Sequence, residues 1–223
     1  MSGWGMWPVL QVALDHVELK EAVRVAKRIS RIGGIWVEAG TPLIKSEGMR
    51  AVSRLRKLLP NHFIVADMKT FDAGWVEAEM AVKAGADMVT VLGAAGRETV
   101  EDVVEACRRL GAKVCVDLIG VENPAKTARA AEEAGADMIL LHVGFTLQRR
   151  GMRAPDMLRE IRETVEGVGI PVGVAGGIKH GEAGRFAEMG CKVIVVGSAI
   201  TRASDPADAA KTLLEEIRSP RPL

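Results

Sequence analysis

Short apolar runs alternate with longer stretches of helical periodicity along almost the whole chain. Val9 to Leu14 reads as a buried strand ending at Asp15, and Ile35 to Val37 as a second ending at Glu38. Phe63-Ile64-Val65 leads to Asp67, and Met88 to Leu92 forms a fourth strand. Val114 to Val116 ends at Asp117, and Met138 to Leu141 at His142. Pro171 to Val174 and Val193 to Val196 complete eight strands, which end at Gly176 and Gly197. Between them, apolar residues at helical spacing predict inward helix faces: Leu19, Val23, Ala26 and Ile29; then Met49, Val52, Leu55 and Leu59; then Val76, Met80 and Ala84. Val100, Val103, Cys107 and Leu110 mark another, and Leu158, Ile161 and Val165 one more. Asn123 followed by Pro124 reads as a helix start, as do Ser204 and Pro206, with Leu213, Leu214 and Ile217 inward in the last helix.

Strand ends recur about every 25 residues, the spacing expected of strand–helix units. Eight such units predict an α/β protein of one domain, a (β/α)8 TIM barrel; an open doubly wound sheet is the alternative. The unit repeats visibly in Ala84-Gly85-Ala86-Asp87 and Ala134-Gly135-Ala136-Asp137, each just before a strand. In a barrel these aspartates lie at the face remote from the active site and read as turn residues. Residues 1–8, with Trp4 and Trp7, read as an N-terminal arm, and residues 9–223 as the barrel domain.

Composition narrows the function classes. Hydrophobic residues make up 48% of the chain, enough for a large core. Thirty Lys and Arg against 29 Asp and Glu leave a net charge of +1, so nothing favours nucleic acid or an anionic membrane as partner. No apolar run reaches membrane-spanning length, and a soluble, cytoplasmic protein is expected. Cys107, Cys115 and Cys191 have neither disulfide nor zinc spacing.

Candidate chemistry collects at the strand ends, the active face of such a barrel. Asp15, Glu38, Asp67, Lys69, Asp117 and His142 all fall there, and so dense a polar cluster is costly at the ends of apolar strands. By strand alternation Asp67 and Lys69 face the same side, with Asp72 three residues on in the turn. Carboxylates flanking that ammonium keep it charged and suited to a developing oxyanion. Glu38 and Asp67 end adjacent strands and are candidates to hold Mg2+, which takes one or two carboxylates and leaves room for water and substrate. Gly176-Gly177 and Gly197-Ser198 lie at the usual phosphate position of this fold, and His142 suits proton transfer.

These residues resemble the orotidine 5'-phosphate decarboxylase superfamily of phosphate-binding barrels. The signature Asp-x-Lys-x-x-Asp is Asp67, Lys69 and Asp72, and the match runs from about Val9 to Ile217. Glu38 replaces the second-strand lysine of the metal-free decarboxylases, and its run Glu38 to Ile44 is similar to the Mg2+-dependent branch. That branch comprises the 3-hexulose-6-phosphate synthases and the 3-keto-L-gulonate-6-phosphate decarboxylases. Asp117, Phe145 and Ala175 stand where the latter carry Glu, Arg and Thr, and Asp117 and Ala175 are similar to the synthases. Two departures from the synthase pattern are Thr146, where an acidic residue is common, and Ser198, where many relatives have Gly or Arg.

The resemblance implies an aldehyde-lyase with Mg2+ on Glu38 and Asp67, acting on formaldehyde and a sugar phosphate, D-ribulose 5-phosphate. It implies His142 as base, Lys69 as charged donor, and Asp67 and Asp72 as the other catalytic residues. Asp15, Asp117, Gly176, Gly177, Gly197 and Ser198 would bind substrate. It also implies a homodimer in which Asp72 reaches the neighbouring subunit's site. Decarboxylation of a keto-gulonate phosphate is the nearest alternative, and a catalytically silent barrel acting as a scaffold is the alternative of another class.

Overall fold

The eight apolar runs are the staves of one closed parallel barrel, with β1 hydrogen-bonded to both β2 and β8. In the computed structural model, which describes residues 8–219, the strands are β1 (Val9–Leu14), β2 (Ile35–Ala39), β3 (Phe63–Thr70), β4 (Met88–Leu92), β5 (Lys113–Asp117), β6 (Met138–His142), β7 (Val172–Ala175) and β8 (Val193–Val196). The proposed N-terminal arm lies outside the described residues except for Pro8. The first helices are α1 (Leu19–Ile29), α2 (Thr41–Glu47), α3 (Arg50–Leu58), α4 (Gly74–Lys83), α5 (Arg97–Leu110) and α6 (Pro124–Glu133). They continue with α7 (Phe145–Gln148), α8 (Leu158–Gly167), α9 (Ala183–Glu188), α10 (Ser198–Thr201) and α11 (Pro206–Arg218). Among the described residues no helix is long and apolar enough to cross a membrane.

Side-chain alternation divides each strand between two cores. Leu10, Val12 and Leu14 point outward into an annulus shared with the helices, where Ile29, Leu55 and Ile64 are also fully buried. Burying each such side chain contributes roughly 1.5–3 kcal/mol, so this annulus is the main stabiliser. Val9, Ala13, Trp36, Val65, Met88, Cys115, Met138, Leu140 and Val195 point inward and fill the barrel. Trp36 and Phe63 stack there with ring centroids 4.3 Å apart.

The repeated Ala-Gly-Ala-Asp units are structural, as expected. Gly85 and Gly135 take φ of +107° and +93°, which turns the chain out of a helix and into the next strand. Asp87 then accepts the Ile64 N–H at 2.7 Å, and Asp137 the Val114 N–H at 2.9 Å. Each aspartate thus ties the start of its own strand to that of a neighbour at the remote face.

Four local expectations are corrected. The last helix is capped by Asp205, whose carboxylate accepts the Ala207 N–H, and not by Ser204. The short helix α2 is additional to the one read from Met49 onward. Val23 is only partly buried, and Ala22 and Val25 fill that face of α1 instead. Most consequentially, Val76 and Met80 are 56% and 49% exposed, and Gly74, Ala78 and Ala81 form the buried face of α4. A side chain at Gly74 would lie 2.7 Å from the Thr99 carbonyl oxygen, so α4 packs on α5 through small residues. Val76 and Met80 are left outside.

Candidate active site

The site is built by a bulge in β3. Ala66 stands opposite Val89 and Thr70 opposite Val91, so four steps along β3 cover two along β4. Lys69 makes the detour at φ +47°, a left-handed conformation that costs a side-chain-bearing residue energy and gathers at functional sites. Its freed N–H donates to Thr90 Oγ1 at 3.0 Å. The detour folds Lys69 Nζ back to 2.6 Å from Asp67 Oδ2, while Met68 packs toward the outer annulus. Asp67 and Lys69 therefore share a face as expected, but the bulge achieves this and not plain alternation.

The second carboxylate on Lys69 is not the one expected within the chain. Asp72 turns away, accepts the Ala73 N–H at 2.7 Å and is exposed. Asp117 takes the place, with Oδ2 3.1 Å from Lys69 Nζ. The same oxygen lies 2.9 Å from His142 Nδ1, and Oδ1 accepts the Ile119 N–H at 2.9 Å. Asp117 is completely buried, so its whole carboxylate is engaged by protein. Burial alone would raise its pKa, but His142, Lys69 and the Ile119 N–H together bring it down to about 2. Burial would likewise lower the pKa of Lys69, yet Asp67, Asp117 and Glu38 hold it above the ordinary lysine value.

Asp67 is held on every side. Thr90 Oγ1 donates to Oδ1 at 2.8 Å, and the Thr41 hydroxyl lies 2.7 Å from Oδ2. Glu38 is buried beside it with one neutral donor, the Gln11 amide, on Oε2. Burial, then repulsion from Asp67 and Asp15, pushes the Glu38 pKa well up. Asp15 is exposed at the rim by surface area, yet its carboxyl is hemmed in by protein and faces Asp67, and its pKa is raised too. Gly40 and Gly197 leave the room in which that carboxylate stands. Thr41, Thr90, Gln11 and Gly40 are the site residues that sequence reasoning missed. The only signal for Gln11 and Thr90 was a lone polar residue inside an apolar strand.

The donor set fits a hard divalent cation. Two buried carboxylates repel one another, oxygen is the only ligand type, and among the described residues no ammonium lies within ion-pair distance of Glu38. Among the described residues no group of three or more His, Cys, Asp or Glu converges as a cage. Two protein ligands are what an open, Mg2+-like site needs when substrate and water complete it.

On the opposite side of the mouth, Gly176 and Gly177 adopt φ of +119° and +67°. A Cβ on Gly176 would lie 2.7 Å from the Val143 carbonyl oxygen, so only glycine fits. The two glycine carbonyls are taken, by the Ala154 N–H at 2.8 Å and by Arg153 Nη1 at 3.2 Å. No acceptor among the described residues takes the N–H of Gly176, Gly177 or Gly197. Ser198 is exposed at the start of α10.

With the geometry in place, comparison with known proteins identifies the lineage. A family model described as Orotidine 5'-phosphate decarboxylase / HUMPS family matches residues 8–213. The chain belongs to this family. Within it, a 3-hexulose-6-phosphate synthase from Mycobacterium gastri is 39% identical over 209 residues, 93% of this chain and 99% of the relative. A crystal structure of 3-hexulose-6-phosphate synthase matches with a TM-score of 0.86 at 38% identity, over 93% of this chain and 98% of that one. The crystal structure of 3-keto-L-gulonate-6-phosphate decarboxylase from Vibrio cholerae O1 biovar El Tor matches with a TM-score of 0.85 at 31% identity, over 97% of this chain and all of that one, 100%. The family and fold implied by the Asp67, Lys69 and Asp72 signature are thus those observed.

Asp117 gives the site a pH signature. Its folded pKa of about 2 lies below its ordinary 3.8, so the network stabilises the fold fully above pH 3.8. That contribution is lost as pH falls through about 2. Asp117→Asn should cost about 3 kcal/mol of unfolding free energy near neutral pH, because it leaves Lys69 short of a buried partner. Urea titrations should show the gap between the two proteins narrowing below pH 3.8. A gap that stays constant down to pH 2 would refute the ionised network.

Proposed function

We propose that the chain catalyses the reversible aldol condensation of formaldehyde with D-ribulose 5-phosphate, the 3-hexulose-6-phosphate synthase reaction, through an enediolate. The observation that carries this reading is the path from Lys69 through Asp117 to His142, at 3.1 and 2.9 Å, which puts a permanent cation and a proton acceptor in one array.

His142 engages Asp117 through Nδ1, so the N–H sits on that nitrogen and Nε2 is the free base. Nε2 removes the C1 proton of the ketose, and the electron pair moves toward the carbonyl oxygen. The Lys69 ammonium faces the charge that develops there. The enediolate carbon attacks formaldehyde, forming the new C–C bond, and the resulting alkoxide takes the proton back from His142. A divalent cation held by Glu38 and Asp67, Mg2+ by this reading, supplies Lewis-acid polarisation of the ketose oxygens when bound. Asp15 meets the sugar hydroxyls at the rim. The Gly176, Gly177 and Gly197 N–H groups and Ser198 receive the phosphate. Asp117, with no exposed surface, orients Lys69 and His142 and does not meet substrate directly.

Keto-gulonate phosphate decarboxylation would use the same enediolate. Against it stand Phe145, an exposed apolar side chain where those enzymes carry an arginine, and Ala175 in place of their threonine. A scaffold role is disfavoured by the buried, mutually repelling carboxylates, which cost stability without serving packing. Cytoplasmic residence belongs to the same reading, and the three free, buried thiols are in keeping with a reducing compartment.

The reading extends to a homodimer. Asp72 lies beside Phe71, 61% exposed, and near the outward Val76 and Met80 of α4, a patch suited to a second copy. Trp75 is half-buried with Arg109 5.4 Å above its ring, so the exposed anchor is Phe71. In the dimer Asp72 completes the partner's site.

With ribulose 5-phosphate and Mg2+ in D2O, the protein should exchange the C1 proton without formaldehyde and yield hexulose phosphate once it is added. His142→Ala should slow the exchange by about a hundredfold or more. Unchanged exchange would move the base elsewhere, and CO2 release from keto-gulonate phosphate without aldol product would select the rival activity. For the dimer, Lys69→Ala and Asp72→Ala proteins, each inactive, should regain activity when their subunits are exchanged. One site of each mixed dimer is then intact. Verified exchange with no recovery would assign Asp72 to its own chain.

A further inference from the structure

Among the described residues, Gln11 is the one side-chain amide inside the barrel. It lies opposite Trp36 on β2, one inward-facing layer below the Ala13–Glu38 level, and is 2% exposed. Every other β1 residue is apolar, and the inward positions around it are filled by Val9, Ala13, Trp36, Val65 and Val195. Its Nε2 donates to Glu38 Oε2. Its Oε1 is buried and accepts nothing among the described residues. An amide placed in an apolar interior with half of its hydrogen-bonding capacity unused has not been placed there for packing. Its orientation is dictated by Glu38, since the reverse orientation would set two acceptors against each other.

We infer that Gln11 is a positioning residue for the cation site, clamping Oε2 of Glu38 from within the barrel so that Oε1 is presented to a divalent ion at the mouth. This rests on the reading of Glu38 and Asp67 as the ion's ligands. Among the described residues nothing else donates to Glu38, and Oε1 takes no hydrogen bond. Asp67 has the counterpart arrangement: Thr90, the polar residue inside β4, fixes its Oδ1 at 2.8 Å. The two carboxylates are thus each held by a neutral side chain from the neighbouring strand. At Glu38 a neutral donor fixes the ligand without cancelling the charge that attracts the ion, whereas Asp67 is in addition paired with Lys69. Loss of such an outer contact typically weakens metal binding by about 10- to 100-fold.

The test is Mn2+ affinity, read by the disappearance of the free-ion electron paramagnetic resonance signal, in the unaltered protein, Gln11→Met and Thr164→Val. Thr164 is also fully buried with an orphaned hydroxyl, but it lies on α8, away from the barrel interior. Gln11→Met keeps the volume and removes the donor. It should bind Mn2+ about 10- to 100-fold more weakly, with an altered bound-ion spectrum in protein that is still folded. Thr164→Val should match the unaltered protein. Should the methionine variant fold poorly, Gln11→Asn withdraws the amide by one methylene and should give the same loss. Equal Mn2+ affinity in the unaltered protein and the Gln11 variant overturns the role of Gln11 and leaves the cation reading standing. An unaltered protein that binds no Mn2+ overturns the cation reading itself, and Gln11's role with it.

Discussion

The Lys69 ammonium, fixed between Asp67 at 2.6 Å and Asp117 at 3.1 Å, is the interaction on which the site depends. A buried cation between two carboxylates is stable only if the surplus negative charge is answered, and two features answer it. Asp117 shares its charge with His142, and Asp67 accepts from Thr41, Thr90 and Lys69. The β3 bulge makes the triangle possible. The extra residues set the path by which Lys69 folds back onto a carboxylate two positions away in the same strand. The strained Lys69 backbone is accordingly part of the chemistry, held in place by the barrel around it.

One carboxylate is left over. Glu38 is buried beside Asp67 and Asp15 with a single hydrogen-bond donor, the Gln11 amide, and that surplus of negative charge is the ground for proposing a divalent cation at the mouth. Across the mouth, glycine turns offer uncommitted N–H groups. The cavity thus has an acid-rich side suited to a cation and a donor-rich side suited to an anion. A phosphorylated ketose, with polarisable oxygens at one end and a dianion at the other, matches that division.

Much of this was legible in the sequence, because barrel periodicity needs only apolar runs and regular spacing. All eight strands fell where the runs lay, and Asn123 capped its helix as its neighbour Pro124 indicated. The charged residues at the strand ends were legible for the same reason: a charge is conspicuous against an apolar strand. What escaped was quieter. Gln11 and Thr90 are neutral, so a single polar residue inside a strand did not register as a support for a carboxylate. The partnership of Asp117 with Lys69 joins residues on β3 and β5, which no local pattern encodes. The phase of α4 was misread because alanine and glycine weigh little in a hydrophobic count. Those residues pack α4 on α5, while Val76 and Met80 face out.

The central claim is that Lys69 acts as a permanent cation and never as an imine-forming nucleophile. Nuclear magnetic resonance of the protein carrying lysine labelled with 13C at Cε, with Lys69→Arg identifying the signal, measures this directly across alkaline pH. Near pH 10.5, where an ordinary lysine is half neutral, the Lys69 signal should remain that of the charged form. A midpoint at or below the ordinary lysine value would contradict the account, because the carboxylates would then not be holding the proton in place.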